Sequence, residues 1–451
     1  MRSFIPGVID DLLFYLRADI TTVLLFVCFF TPAVVIGQEF EEGTSTWQSD
    51  LYQEYLEQRN STSTSPMSDS VHLKLFEVNS LVDAGQYEQG LTGLKNIEAM
   101  PNLNSYERIQ VFNYLAYIYF VLDRYQDALG YYERILAEPD TAEVMLLNTY
   151  YGMAQAYFLI QDYPKAVVAI ERWFADTPEP TLNACMLLGQ AYYQMERYQE
   201  SLSQLLQARA MSRQSGGKPK ELLLLLLQNI YIKLNDYPKL IAILKELIIT
   251  YPMSEHWFAL AAAYSEVNEF DKQLSILEML YESGNLEDGQ SQLNLVNLYL
   301  MHKAPYKAAV LLDTAIKQGK IEGMVNNLEL LARAWQQAHE LEKSLQPLEQ
   351  AARLAEDGDV HIRLAQSYIS LNMYEAAAAA VAEGMDKGSI DRPDQANLIL
   401  GMALFELEKF DAAKAAFATA IGDNRSKNAA EDWVKYVESE QVRKQELESG
   451  L

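Results

Sequence analysis

The sequence has little of what metal binding, cofactor binding and nucleic-acid binding require. It has two cysteines, Cys28 and Cys185, and five histidines that are far apart along its 451 residues. No two of them have the spacing of metal ligands, so we predict no metal site and no cofactor. Basic residues are also few, with 36 Lys and Arg against 62 Asp and Glu, a formal net charge of -26. So acidic a chain should repel nucleic acids and anionic lipid headgroups.

Glycine and proline are scarce as well, with 21 and 14 residues in clusters, which favours helices over many short strands. No paired carboxylates or activated nucleophile can be singled out. The stretch Ser215–Lys218 has the serine–lysine spacing of some acyl-transfer enzymes, but it lies between helical segments, and we interpret it as a flexible loop. We therefore predict that the protein is not an enzyme and has no catalytic residues.

Residues 1–37 have the pattern of an export signal. The apolar run Ile20–Ile36 follows Arg2 and Arg17, and the next basic residue is Arg59. This distribution of Lys and Arg predicts that the N-terminus stays in the cytoplasm and that the rest of the chain is translocated to the other side of the membrane. We therefore expect a periplasmic protein. Two interpretations stay open: a cleaved signal peptide, or an inner-membrane anchor formed by residues 20–36. Only the second would give the protein a contact with the membrane.

Residues 38–70 form a polar stretch that precedes the repetitive part of the chain. Asp50–Gln58 (DLYQEYLEQ) has the pattern of a short helix, whereas Asn60–Pro66 (NSTSTSP) has nothing to bury and is typical of a linker.

From there on one pattern recurs about every 35 residues. In Phe112–Asp140, apolar residues at helical spacing lie on both sides of Leu122–Arg124, which predicts two helices joined by a tight turn. Each copy has one large residue near the end of its first helix, here called the register residue: Leu81, Tyr119, Tyr157, Tyr192, Tyr231, Tyr264, Tyr299, Trp335, Tyr368 and Leu404.

Small side chains accompany the register residues at fixed distances. Three residues earlier the side chain is small or medium in nine copies, and Gln228 is the exception. Nine residues later it is small in eight copies, and Leu240 and Gln273 are the exceptions. Two helices can approach closely only where such side chains face each other, so the pattern predicts paired helices.

The small residue, the tyrosine and the alanine in a period near 34 resemble the tetratricopeptide repeat (TPR) family. The resemblance covers residues 71–422 in about ten copies. It implies an all-α fold, a right-handed α-solenoid of helix-turn-helix repeats. Within a C-terminal region, residues 423–451, Ser426–Glu448 is predicted to form a helix that caps the last repeat.

Departures from the repeat make local predictions. Longer steps between copies predict loops or longer helix ends at Pro101–Ser105, Glu138–Val144 and Ser212–Lys218. Pro305–Tyr306 predicts an added residue in the seventh turn. The six leucines Leu222–Leu227 predict a helix buried on every side, or one whose inner face meets a partner or a second copy.

The TPR resemblance also implies where a partner binds, because the first helices of TPR proteins line a concave groove. We predict as partner-binding residues Tyr117, Phe120, Tyr151, Phe158, Tyr193, Asn229, Ile232 and Phe258. Further lining is expected from Gln155, Met186, Gln190, Leu225, Ala262, Ser265, Asn297 and Leu300. Aromatic and apolar side chains with interleaved amides suit an extended peptide or an amphipathic helix. The alternative is that these aromatics only pack between repeats.

As a whole, the chain resembles exported TPR proteins that accompany TonB–ExbB–ExbD systems of gammaproteobacteria. The resemblance lies in the long array after an export signal and in AAEDWVKYVESEQVRKQELE from Ala429. It implies a periplasmic scaffold, accessory to TonB-dependent energy transduction and iron uptake, with TonB or other envelope proteins as partners. The basic region of TonB would suit an acidic protein. The alternative function is an assembly factor for envelope or outer-membrane proteins that binds extended peptides. No oligomeric state is predicted.

Overall fold

The chain folds into helical hairpins. A computed structural model describes residues 67–139, 141–177 and 179–449, and in these residues it has 21 helices and no strand. The predicted signal segment, residues 1–37, and nearly all of the predicted linker lie outside the described residues. Among the helices that are described, none is both long enough and apolar enough to span a membrane.

The helices belong to two compact units that divide between Val267 and Asn268, in the turn of the sixth repeat. The first unit contains α1 (Asp69–Asp83), α2 (Tyr87–Glu98), α3 (Ser105–Val121), α4 (Tyr125–Ala137), α5 (Glu143–Leu159), α6 (Tyr163–Asp176), α7 (Leu182–Gln194), α8 (Tyr198–Gln214), α9 (Glu221–Lys233), α10 (Tyr237–Thr250) and α11 (Ser254–Glu266). The second contains α12 (Phe270–Glu282), α13 (Gly289–Met301), α14 (Pro305–Lys317), α15 (Val325–Gln337), α16 (Leu341–Leu354), α17 (Asp359–Ser370), α18 (Tyr374–Lys387), α19 (Pro393–Glu406), α20 (Phe410–Ala420) and α21 (Lys427–Ser449).

Within each unit every helix packs against the next one along the chain. Up to α20, odd-numbered helices are the first and even-numbered helices the second helices of the ten predicted repeats. First helices also contact one another, α1 with α3, α5 with α7, and α7 with α9. This is the packing of a helical-repeat solenoid, as predicted.

The same backbone conformation follows each first helix of the ten repeats. Four residues after every register residue the chain adopts a positive φ, between +53° and +71°, at Gly85, Asp123, Gln161, Glu196, Asn235, Asn268, Lys303, His339, Asn372 and Glu408. In the second repeat, Arg124 N–H donates to the Tyr119 carbonyl (2.8 Å) and Asp123 N–H to the Phe120 carbonyl (3.1 Å). These two bonds define a Schellman motif, which ends a helix and reverses the chain. The predicted turn at Leu122–Arg124 is confirmed.

In the nine repeats that lie within one unit, the small positions lie where the two helices of a hairpin meet. All ten residues three before the register residue are buried, and so are all ten residues nine after it, including Leu240 and Gln273. A Cβ atom on Gly189 would lie 2.8 Å from Leu205 Cδ2, and one on Gly401 would lie 2.5 Å from the Phe417 ring. Glycine is needed at these two sites because the facing side chain occupies the space of a methyl group.

Register tyrosines also connect neighbouring repeats. The hydroxyl of Tyr299 donates to Glu278 in the preceding second helix (2.9 Å), and Tyr192 donates to Glu171 in the same way. Burial, together with the hydrogen bond to the carboxylate, raises the pKa of Tyr192 to about 12. The tyrosine therefore fills the gap between helices and ties one repeat to the next.

The last helix covers the end of the array, as predicted, and begins one residue later than expected. The Trp433 ring stacks on Phe417 of α20, with centroids 5.4 Å apart and planes at 10°. Val437 is fully buried, and Lys414 Nζ donates to Gln441 Oε1 (3.0 Å).

Two local predictions are wrong and one is confirmed. Pro305 adds no residue to the seventh turn, because it is the first residue of α14, where the missing N–H of proline costs nothing. Of the two interpretations of the leucine run, burial on every side is wrong, since Leu222 and Leu225 are half-buried. An inner face that meets a partner or a second copy stays a prediction. The long steps between copies do correspond to loops and to three 17-residue helices, α3, α5 and α8.

Candidate peptide-binding face

The first helices form one side of the first unit. Contacts between α1 and α3, α5 and α7, and α7 and α9 bring these helices close together. In a curved stack the closer helices lie on the inside, so the residues of the first helices that face away from the second helices lie on this inner side. This is the side on which the resemblance places a partner.

All eight predicted partner-binding residues lie in the first unit, on first helices, and all eight are half-buried. Tyr117 and Phe120 lie on α3, Tyr151 and Phe158 on α5, Tyr193 on α7, Asn229 and Ile232 on α9, and Phe258 on α11. Each side chain therefore has one part that packs and one part that is accessible to solvent.

Ring contacts hold several of these side chains in place. Phe120, Phe158 and Tyr193 each meet the tyrosine that begins the second helix of the same hairpin, with centroids 5.3, 5.4 and 5.8 Å apart and planes near 65°. Tyr151 packs on Trp173 at 5.5 Å, and burial raises the pKa of Tyr151 to about 12. Packing is thus part of the role of these rings. It also holds their accessible edges in a fixed orientation.

A wider pattern appears when one face of each first helix is followed. In repeats two to five, the residues nine, six and two before and one after the register residue share a face, since their spacing is three, four and three. We call these sixteen positions the first-helix stripe: Gln110, Asn113, Tyr117, Phe120, Asn148, Tyr151, Gln155, Phe158, Asn183, Met186, Gln190, Tyr193, Leu222, Leu225, Asn229 and Ile232. None is charged, in a chain with 22% charged residues. Seven are amides and five are aromatic.

The structure corrects the sequence prediction at several positions of this face. Gln155 and Met186, expected to line the groove, are buried, and so is Ala262 of α11. The stripe also includes Gln110, Asn113, Asn148, Asn183 and Leu222, which the sequence reasoning missed. Following the helical spacing back by one or two turns from the register residue would have found them.

In the second unit, charged residues interrupt the equivalent face of the first helices. Asn297 is exposed and Leu300 half-buried on α13, but α15 has charged residues at the next equivalent positions, Glu329 and Arg333. Glu329 is paired with Arg363 of α17, whose Nη2 lies 2.5 Å from its carboxylate. Four successive first helices without any charge at these positions are therefore a property of repeats two to five, because α11 of the first unit has Glu255 at an equivalent position.

The described residues offer no alternative site with evident chemistry. They contain no group of three His, Cys, Asp or Glu side chains that could hold a metal ion. Cys185 is buried, and burial raises the pKa of its thiol to about 11, so the thiol is protonated near neutral pH. Ser215–Lys218 lies in the loop between α8 and α9, as predicted.

Two family models match parts of the sequence. The model of anaphase-promoting complex, cyclosome, subunit 3 matches residues 121–208, and the tetratricopeptide repeat model matches residues 394–422. The chain carries tetratricopeptide repeats. Neither model describes an enzyme, and the repeat fold implies a scaffold for protein–protein interaction with protein or peptide partners. No curated protein matches the sequence.

Solved structures with a similar fold include other TPR proteins. YrrB, described as a TPR protein with an unusual peptide-binding site, is 16% identical, over 42% of this chain and 97% of its own, with a TM-score of 0.34. A TPR protein from Parabacteroides merdae is 14% identical, over 57% of this chain and 99% of its own, with a TM-score of 0.30. A chain of the APC/C hetero-tetramer Cut9–Hcn1 is 11% identical, over 83% of this chain and 91% of its own, with a TM-score of 0.28.

Proposed function

We propose that the protein is a periplasmic scaffold that binds an extended peptide segment of a partner protein along the first-helix stripe. The observation that carries this proposal is the absence of charge from all sixteen stripe positions in a chain of net charge -26. Fourteen of the sixteen are at least partly accessible. Structural need alone does not demand a neutral solvent-accessible face, because charged side chains are tolerated at the equivalent positions of α15.

The chemistry of the stripe suits peptide backbone and apolar side chains. Amide side chains such as Asn113, Gln190 and Asn229 both donate and accept hydrogen bonds, as a peptide group does. Packed helices lie roughly 8–10 Å apart, so amides on successive first helices can meet successive parts of an extended chain. The edges of Tyr117 and Phe158 add apolar contact area. No Lys or Arg is present in the stripe to hold a terminal carboxylate.

We further propose that the partner is the periplasmic region of TonB, and that the protein is an accessory to TonB-dependent iron uptake. Support comes from the resemblance of the whole chain to exported TPR proteins of TonB systems, and from the attraction expected between an acidic scaffold and a basic partner. The electrostatic part of this attraction acts over the whole surface and is screened by salt, whereas contacts in the neutral stripe are not.

Titration of a fluorescently labelled TonB periplasmic region with purified residues 38–451 tests both parts. We expect binding that weakens as salt rises from 50 to 500 mM. Tyr193→Ala and Asn229→Ala should each weaken binding about tenfold, a typical loss for a central interface residue. Val168→Ala, an exposed side chain on α6, is the matched control and should leave binding unchanged.

The outcomes are distinguishable. No binding at low salt would remove TonB as the partner. If the two stripe variants bound TonB as strongly as the wild type does, the stripe would not be the contact surface, even if TonB were the partner.

A second candidate function is assembly of envelope or outer-membrane proteins. The neutral stripe favours it, because a surface without charge can hold many extended segments of differing sequence. A photoreactive residue in place of Tyr193 would capture nascent outer-membrane proteins in this case. With a TonB accessory it would capture TonB.

A further inference from the structure

On the first helix, α1, the described residues leave two large apolar side chains largely uncovered. On α1, Leu73 is 63% exposed and Phe76 is 58% exposed. They lie three residues apart and therefore share one face. Relative to the register residue Leu81, they occupy the positions eight and five residues earlier.

In several later repeats the same positions are covered by the preceding hairpin. Eight residues before the register residue lie Val111, Ala184, Leu223 and Ala396, all fully buried. Five residues before it in the third repeat lies Gly152, where a Cβ atom would come within 2.5 Å of the Tyr132 hydroxyl on α4, the preceding second helix. Leu73 and Phe76 thus form a surface that elsewhere in the array packs against a second helix.

The sequence contains a segment at the place where such a helix is expected. From the start of a second helix to the next register residue, the chain takes between 27 residues (Tyr237 to Tyr264) and 33 residues (Tyr198 to Tyr231). Counting back the same distances from Leu81 leads to residues 48–54. The segment Asp50–Gln58 begins there, and its Tyr52 lies 29 residues before Leu81.

The composition of this segment matches the role of a second helix. The second helices of the first five repeats all begin with tyrosine, and Tyr52 would take that position if the segment were aligned with them. Leu51, Tyr52, Tyr55 and Leu56 fall on one side of a helix, and the other side is Gln and Glu. Such a helix would have one apolar face to cover Leu73 and Phe76.

The entry of the chain into α1 is compatible with this placement. Ser68 is held to the neighbouring repeat because its N–H and hydroxyl both donate to Glu107 Oε1, at 2.9 and 2.6 Å. The nine residues 59–67 can span up to roughly 30 Å when extended. That length lets the chain return along a helix of about 22 Å such as α1.

We propose that Asp50–Gln58 docks as a helix on Leu73 and Phe76 and acts as the second helix of an N-terminal half-repeat. It would cover the first repeat as α21 covers the last one, so that neither end of the array presents its packing surface to water.

A photocrosslinking experiment on the full chain tests the docking directly. With p-benzoylphenylalanine in place of Phe76, irradiation should join this residue to the peptide that contains Asp50–Gln58 of the same chain. The same probe in place of Ile249, an exposed residue of α10, should not react with that segment. A bond from position 76 to a second chain, to another protein, or to no part of residues 50–58 would overturn the proposal.

Hydrogen exchange supplies an independent measurement. Leu56→Asp should raise amide exchange in α1 at least tenfold and leave α21 unchanged, whereas Ile249→Asp should leave α1 unchanged. Because both residues belong to one contact, adding Leu56→Asp to Phe76→Asp should have little further effect on α1. Wild-type exchange in α1 of the Leu56→Asp variant would show that the segment does not dock there.

Discussion

Replacement of Asp394 by alanine should loosen the capping helix. The Asp394 side chain is 1% exposed at the start of α19. Its carboxylate accepts two hydrogen bonds from Arg392, at 2.9 and 2.6 Å, and one from the hydroxyl of Ser426 at 2.5 Å. Arg425 Nη2 lies farther away, at 3.4 Å. Since Ser426 immediately precedes α21, this carboxylate fastens the cap to the last repeat.

The free-energy cost of Asp394→Ala can be estimated from the hydrogen bonds that each partner of the carboxylate loses. A hydrogen bond to a charged group contributes about 1.5–3 kcal/mol, and the buried Ser426 hydroxyl would lose its acceptor. The guanidinium groups of Arg392 and Arg425 are partly exposed and can turn to water, so their loss is smaller. We therefore expect Asp394→Ala to cost about 2–3 kcal/mol in the docking of α21. Asp394→Asn should cost less, because an amide oxygen still accepts from Ser426.

Hydrogen exchange measured by mass spectrometry checks the prediction, because a repeat array opens locally at its ends. A loss of 2–3 kcal/mol corresponds to an increase in α21 exchange of roughly 30- to 150-fold. Asp411→Ala on α20 is the control: this carboxylate is 86% exposed, and its ion-pair partner among the described residues is Lys414 of the same helix. If α21 exchanged within threefold of wild type in Asp394→Ala, or if Asp411→Ala had an equal effect, the assignment of Asp394 as the fastening residue would be wrong.

The docking of α21 should also depend on pH, through the protonation of Asp394. The hydrogen bonds from Arg392, against the opposing effect of burial, hold the pKa of Asp394 well below its usual range. A depressed pKa in the folded state means that the stabilisation is present above the unfolded value, about 3.9, and is lost as pH falls below it. Exchange in α21 should therefore rise on acidification below pH 4 by a larger factor in wild type than in Asp394→Ala.

Three further predictions concern single side chains. Tyr299→Phe removes only the hydroxyl that donates to Glu278 and should lower the free energy of unfolding in urea by about 1 kcal/mol, whereas Tyr299→Ala should lower it by about 3–5 kcal/mol. If the two variants lost the same free energy, the stabilisation could not be divided between the hydrogen bond and the packing of the ring in this way. Glu196→Gly should stabilise by about 0.5–1 kcal/mol, because glycine adopts its positive φ without strain, and a destabilised variant would argue against this. Burial lowers the pKa of His256, against the effect of Glu221, so the folded protein binds a proton at this site less readily than the unfolded chain. Stability should therefore fall as pH drops below about 6.5, and His256→Gln should flatten that dependence in urea titrations between pH 7 and 5.

The period and register of the repeats could be predicted because close packing of two helices restricts side-chain size at fixed spacings. Ala116 and Ala128 stand in the sequence at those spacings, and both are fully buried. The prediction failed where a residue has two common uses. Pro305 was interpreted as part of a turn, although proline fits equally well at the first position of a helix.

The TPR resemblance and the repeat register also placed Tyr117, Asn229 and the six other candidate residues on first helices, where the structure has them; their role in binding stays a prediction. Their individual accessibility was not predictable. Gln155 and Tyr117 occupy the same position of their repeats, yet Gln155 is buried and Tyr117 is half-buried. Accessibility is therefore set by tertiary packing and not by the position within the repeat.

By itself, then, the sequence determined that the chain forms paired helices in a repeat array, because that information is local and is repeated ten times. Only the tertiary structure decided that residues such as Glu196 and Lys303, which have no intrinsic preference for a positive φ, are held in that conformation by the hairpin. It also decided that Asp394 meets Ser426 and that the described residues leave Leu73 and Phe76 largely uncovered. Contacts of this kind join residues that are distant along the chain or depend on what covers a surface, and no local pattern encodes them.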